Sequence, residues 1–444
     1  MKQLYFLFFI FFVQIQSSIA QYTAIPDLNF EQELISQGID TNQTPDNQVL
    51  TSAISGIISL TINSPIGANI INLSGIESFT ALEELNFFSA GSLQTINVSQ
   101  NQYLKKIALI NAQITNLNIS NNLNLETLYL YYTNQLSSII LTNNINLKDL
   151  RIGNFNIPQI DLTNNTNLEK LLIRNTQISQ LDLTHNTTLK YIYLYYNFFT
   201  NINLSQNILL EELSIQSTPI SSINVLQNLA LKKLDIEYTP IQNIDVSNNN
   251  FLEALYCSNN SITSLNLNNN LLLNVLYCKN LATGGSPITN FTVQNGSNSL
   301  LNGVYDVTLG SNSPVYVNRF DSTNNPNLHC IFVDNVTNCN TNWLGKDATS
   351  NYVTTQAECD NLQNEEFVAN SFSVYPNPVN DILNIESTNN NVIQKIIVYD
   401  LMGKAILEQK GENTQLNLSN ITSGLYLVKI ITENESIVKK IVKK

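Results

Sequence analysis

Leucines at positions 82, 104, 125, 147, 168, 189, 210, 231, 252 and 273 follow one another at intervals of 21 or 22 residues without exception. A period of that length restricts the chain to architectures that stack one short unit on copies of itself. The clearest copy runs Leu168, Leu171, Ile173, Asn175-Thr176, Ile178, then Leu181-Asp182-Leu183-Thr184 and Asn186. In general form it is L-x-x-L-x-[LI]-x-x-[TN]-x-I-x-x-[IL]-[DN]-[LV]-[ST]-x-N-x-x. Two stretches per unit alternate apolar and polar residues, Leu171/Ile173 and Leu181/Leu183 in this copy. Each coil is therefore predicted to hold two short strands and little helix. A single coil cannot bury enough apolar surface to offset the ordering of its backbone, so the array needs neighbours and dedicated ends.

Composition bears on how the coils hold together. The chain has 71 Asn among 444 residues, with only 12% charged, 43% hydrophobic and 9% aromatic residues. One column of the repeat reads Asn101, Asn122, Asn144, Asn165, Asn186, Asn207, Asn228, Asn249 and Asn270. An amide carries a donor and an acceptor, so stacked copies are expected to bond one another and the backbone of the turns. A Ser/Thr column two residues earlier (Ser99, Ser120, Thr142, Thr163, Thr184, Ser205, Ser247) is expected to act similarly, an ice-binding threonine array being the other use of such a pattern.

The net charge of −13 and the acidic balance of the central region argue against a nucleic-acid partner. Three arginines and two histidines leave little material for phosphate clamps or imidazole bases. No C-x-x-C, H-E-x-x-H, G-x-S-x-G or P-loop spacing occurs, and no cofactor or metal is expected. At the N-terminus, Met1-Lys2, an apolar run from Leu4 to Val13 and Ser18-Ile19-Ala20 form the pattern of a signal peptide over 1–20. No apolar run reaches the ~20 residues of a transmembrane helix. A secreted or cell-surface protein is the expectation.

The spacing and the strand motif resemble leucine-rich repeats of bacterial surface proteins over 82–290, so the fold class implied is a mainly β solenoid with capping segments. The usual Asn after the strand appears only as Asn197 and Asn260, with Thr133, Thr176, Thr218 and Thr239 elsewhere. Residues 21–81 resemble the N-terminal cap of such arrays in the Bacteroidetes, with Ile25-Pro26-Asp27, Phe30 and Leu34-Ile35 marking a short amphipathic helix. Residues 291–361 are similar to the closing segment of the same group, and 362–370 read as a linker. From 371 to 444 the blocks Val374-Tyr375-Pro376-Asn377-Pro378, Ile397-Val398-Tyr399-Asp400-Leu401-Met402-Gly403-Lys404 and Gly424-Leu425-Tyr426-Leu427-Val428-Lys429 alternate as in a small antiparallel β-sandwich. This segment resembles the type A C-terminal sorting domain of the type IX secretion system. The resemblance implies the type IX machinery as a partner, export across the outer membrane, removal of the domain, and attachment to surface lipopolysaccharide or release.

Cys257 and Cys278 occupy the same inward position of successive coils and read as buried thiols, although stacked strands lie within disulfide range. Cys330 and Cys359 are the disulfide candidate in an exported chain, which leaves Cys339 odd. The residues that flank the inward pair of the first strand form an outward ladder. Its candidate ligand-binding members are Tyr129, Tyr131, Arg151, Lys170, Arg174, Tyr191, Tyr193, Tyr195, Asp235, Glu237, Tyr256 and Tyr277. Asp149, Glu212, Gln216, Lys233 and Lys279 share the ladder, and Tyr132, Tyr196 and Tyr238 flank it. In leucine-rich repeats this face is the concave one, used for binding. Tyr and Arg give contact area with polar tips, although exposed tyrosines also stabilise a parallel ladder by themselves. The reading is a non-enzymatic surface protein that binds a protein or glycan through this face. Two alternatives are a polysaccharide-cleaving β-solenoid enzyme, for which Asp235 and Glu237 are the candidate carboxylates, and a passive surface spacer.

Overall fold

The computed structural model describes residues 20–280, 288–306, 316–362, 372–387, 392–411, 414–432 and 436–444. The predicted leader up to Ile19, the break of period at Gly284-Gly285-Ser286-Pro287, the residues 307–315 and the linker from Gln363 onward lie outside them. The chain divides into two compact units, the first running to Asn325 and including Asn338–Asp347, the second made of Pro326–Thr337 and Ala348–Lys444.

The first unit is built on a parallel sheet of twelve strands in chain order. It starts at Ser59–Ile62 and Glu84–Phe87 and continues through Lys106–Ile110, Thr127–Tyr131, Asp149–Gly153, Lys170–Arg174 and Tyr191–Tyr195. Shorter strands follow at Glu212–Ser214, Lys233–Asp235, Ala254–Tyr256 and Val275–Tyr277, and Phe320–Asp321 closes the order. Pairing is in coil register, for example Leu150 opposite Leu171 and Leu171 opposite Ile192, so every column of the sequence becomes a row of the sheet. The opening leucines, from Leu82 to Leu273, are fully buried, as are the inward pairs Leu128/Leu130, Leu171/Ile173 and Ile192/Leu194.

The expectation of two strands per coil is corrected. Among the described residues of the repeats, the second stretch is a named strand only at Ser264–Asn266, although its apolar residues stay inside: Leu183, Leu204, Val225 and Val246 are at most 2% exposed. Asn97, Asn118, Asp161, Asp182, Asn203, Asn224, Asp245 and Asn266 each accept the backbone N–H two residues on, a side-chain turn that ends the stretch, including the one at Asn266 that pairs as a strand.

The Asn column from Asn101 to Asn270 is fully buried, and its chemistry differs from the expectation in one respect. Each amide donates twice to main-chain carbonyls of the preceding turn, as Asn207 does to Leu183 and Asn186, and none bonds a neighbouring Asn side chain. The side-chain oxygens of the nine accept no hydrogen bond. Stacking sets the geometry: the next side chain lies one coil away, whereas the corner carbonyls, each already accepting one backbone N–H within its turn, offer their second lone pair to the amide.

At the N-terminal end, Asp27 caps the helix Leu28–Ser36 by accepting from Asn29 and Phe30, and its second oxygen accepts from Ile71 and Asn72. Buried Phe30 packs on Phe79. At the other end, Phe291, Phe320 and Trp343 stack in sequence, with Trp343 only 1% exposed.

In the second unit, Cys330–Val333 pairs in parallel with Asn351–Val353, and Cys330 is bonded to Cys359 across Cα atoms 5.9 Å apart. Cys257 and Cys278 are buried free thiols, and the buried Cys339 donates to Asn298 Oδ1. From residue 372 on, Phe372–Tyr375, Ile382–Ser387 and Gln415–Asn417 make one antiparallel sheet. Ala405–Lys410, Ile393–Tyr399, Gly424–Thr432 and Ser436–Lys443 make a second one. Leu383, Ile385, Ile396, Val398, Val428 and Ile430 share the core between them.

Candidate functional site

Alternation along each strand sends one residue in two outward, and the 21-residue register lines these up in three rows. The first row runs Asp149, Lys170, Tyr191, Glu212, Lys233. The middle one runs Tyr129, Arg151, Leu172, Tyr193, Ser214, Asp235, Tyr256, Tyr277. A third contains Tyr131, Gly153, Arg174 and Tyr195. The structure thus brings the sequence-predicted ladder onto one continuous face, most of it half-buried, with Arg174 exposed.

The members are not equivalent. Asp149 takes both Arg151 Nε at 2.9 Å and Nη2 at 2.7 Å, and also accepts the Tyr129 hydroxyl at 2.9 Å. The guanidinium lies 4.4 Å from the Tyr129 ring centre. Burial and the bond to Asp149 push the Tyr129 phenol up to about 12. This trio is internally neutralised. The glycine at 153 has a packing reason: a Cβ there would meet the Arg174 carbonyl at 2.9 Å and the Tyr131 ring at 3.2 Å.

The central coil carries an aromatic band. Tyr193 donates to Glu212 at 2.8 Å and stacks on Tyr195 with ring centres 6.2 Å apart. Lys170 Nζ lies 5.6 Å from the Tyr193 ring centre and 5.7 Å from that of Tyr191, and Arg174 lies 5.8 Å from that of Tyr196. Neither Lys170 nor Arg174 forms an ion pair with a described residue.

Toward the later coils the face turns acidic. Asp235 accepts from Ser214 at 2.9 Å and Glu237 from Gln216 at 3.2 Å. Burial raises the carboxyl of each, against the hydrogen bonds that hold the ionised forms. Beyond them Tyr256 and Tyr277 stack at 5.6 Å, with Lys233 5.4 Å from the Tyr256 ring centre. The sequence reading missed Ser214 and Ser258, small residues in the same register whose hydroxyls hold Asp235 and Glu237; the column position alone would have found them.

The flanking tyrosines form a rim column whose backbone conformation the sequence did not reveal. Tyr132, Tyr196 and Tyr238 share a left-handed backbone position with Asn111, Asn154, Asn175, Ser217 and Asn259, at φ between 49° and 67°. Asn tolerates that conformation and Tyr does so poorly, yet the three tyrosines sit there about half exposed. No group of His, Cys, Asp and Glu suited to a metal ion occurs among the described residues.

Comparison with known proteins bears on the fold and the C-terminal domain. Residues 373–444 match the family described as secretion system C-terminal sorting domain. No curated protein matches the sequence. Among solved structures, the chain is similar to the functional domain of InlJ from Listeria monocytogenes, which includes a cysteine ladder. The identity is 18% over 96% of this chain and 99% of that one, with a TM-score of 0.50. It is also similar to an internalin, InlF, from the same organism, at 19% identity over 74% and 95% of the two chains and a TM-score of 0.46. No helix among the described residues is long and apolar enough to cross a membrane. The chain is a leucine-rich-repeat solenoid that carries at its C-terminus a sorting domain of the type IX secretion system, the signal that sends it to the cell surface or the medium.

Proposed function

We propose that the exported solenoid is a non-enzymatic binding protein and that the outer face of its parallel sheet takes up a protein ligand. The observation that carries this reading is the concentration of tyrosine with basic and acidic residues in three registered rows of that face. Such side chains supply large contact area with polar tips and little loss of rotamer freedom. Tyr129 and Arg151 are locked into a trio with Asp149, so Tyr131, Arg174, Tyr193 and Tyr195 are the better contact candidates. Asp235 and Glu237 lie one strand step apart on an open sheet and are held by Ser214 and Gln216, which favours recognition over acid–base chemistry.

The test is a pull-down from host surface proteins and a glycan array, run with the full chain and with the Tyr131→Ala/Arg174→Ala/Tyr193→Ala/Tyr195→Ala variant. The reading expects a protein captured by the parent chain and lost, at least tenfold, with the variant. Capture that survives the variant overturns the use of this face. Glycan cleavage that disappears in Asp235→Asn/Glu237→Gln would replace binding by catalysis.

A further inference from the structure

The charges of the sheet face are sorted along the coil axis. On the early side, Asp149 and Arg151 cancel each other at 2.7 Å, leaving Lys170 and Arg174 as two cations without an ion partner among the described residues. On the later side, Glu212, Asp235 and Glu237 stand against Lys233, which leaves two negative charges. The band of Tyr191, Tyr193 and Tyr195 lies between. Arg174 and Glu237 occupy corresponding positions three coils apart, a span of roughly 14 Å at the spacing of neighbouring strands.

We propose that this face selects an extended polypeptide segment of opposite polarity: a carboxylate set against Lys170 and Arg174, an aromatic or aliphatic stretch over the tyrosines, and a Lys or Arg against Asp235 and Glu237. An extended chain advances about 3.3 Å per residue, so the two charged residues of the ligand stand about four positions apart. The half-buried carboxylates suit a cation at the end of a long side chain. Solvent reaches them poorly, and a bound ammonium or guanidinium would gain charge-assisted hydrogen bonds there. Lys170 and Arg174, already resting on tyrosine rings, are restrained in advance, which lowers the ordering cost of binding. This inference rests on the binding role proposed for the face and adds the chemistry of its ligand.

The probe is a random twelve-residue peptide display library selected on the immobilised full chain at low salt. Clones with opposite charges four positions apart are expected to be enriched at least tenfold over the starting library. They should lose tenfold or more in binding to Lys170→Glu/Arg174→Glu and to Asp235→Asn/Glu237→Gln, and again in high salt. Enriched clones that depend on Tyr193 and Tyr195 but show no charge pattern would overturn this inference and leave the binding role standing. Clones that bind every face variant equally, or no enrichment at all, would count against both.

Discussion

The side-chain nitrogen of Asn186 donates to the main-chain carbonyl of Asn165 at 2.8 Å and to that of Leu162 at 3.0 Å. The same double donation joins each coil to the one before it along the column, as in Asn249 to Asn228 and Val225. Asn186→Ala removes both donors and leaves each carbonyl only its backbone partner, Leu168 N–H on Asn165 and Asn165 N–H on Leu162, so the loss of two buried hydrogen bonds should cost about 1–3 kcal/mol of solenoid stability. Asn186→Asp should be worse, because it supplies no donor and brings a charge to a position with no exposure. Denaturant midpoints of the solenoid transition measure both.

The leucine phase makes the buried rows and the outward face legible in the amino-acid order itself, because a fixed period forces equivalent residues into one register. The sorting domain is legible for another reason: its blocks are short, local and in order. What the amino-acid order hides is the division of labour among asparagines. Asn122 is a buried corner donor, Asn118 accepts a turn N–H, and Asn124 reaches back to the Gln102 carbonyl; which role an Asn takes depends on where the turn points it. The internal neutralisation of Arg151 is equally hidden, since Asp149 could have turned to Lys170 instead.

The residue after the opening leucine alternates in sign from Leu82 to Leu252, and the structure closes the alternation into pairs: Lys105 with Glu83, Lys148 with Glu126, Lys190 with Glu169 and Lys232 with Glu211. Such exposed pairs add little stability individually, but the alternation keeps like charges apart at one coil's spacing. Lys190→Glu would put three glutamates side by side on the sheet edge. Its melting temperature should fall at low ionic strength and recover in high salt; a drop that salt does not relieve would point to packing instead.

Tyr238 holds a left-handed backbone at φ 56°, where Asn259 of the next coil holds the same φ. Tyr238→Asn should therefore raise stability by about 1 kcal/mol. If the rim tyrosine contributes to ligand contact, the same variant will bind more weakly while melting higher, a combination that separates a functional residue from a structural one. Unchanged melting would show that the strain is already relieved by the surroundings.

Burial raises the Asp235 carboxyl above its ordinary value. The sign follows from proton counting: between the ordinary and the raised value the folded protein holds more protons than the unfolded chain. Stability therefore falls as pH rises through that window and levels off above it. Asp235→Asn removes the ionisation, keeps the shape and leaves Ser214 a partner. The variant should match the parent under acid conditions and exceed it at neutral pH. A parent stability that rises across the same window would contradict the assignment.

Cys330 and Cys359 are 29 positions apart in sequence and join the strand Cys330–Val333 to the segment after Asn351–Val353. Closing a loop of that length restricts the unfolded chain by about 3–4 kcal/mol in the chain-entropy model. Cys330→Ser/Cys359→Ser should lower the stability of the second unit by that order while leaving the Asn-column transition of the solenoid in place. Limited proteolysis distinguishes the two: cleavage should begin between 330 and 359 in the variant and in reduced parent protein, and be slow in the oxidised parent. Cleavage that starts instead among the coils would mean that the bridge does not act on the second unit alone.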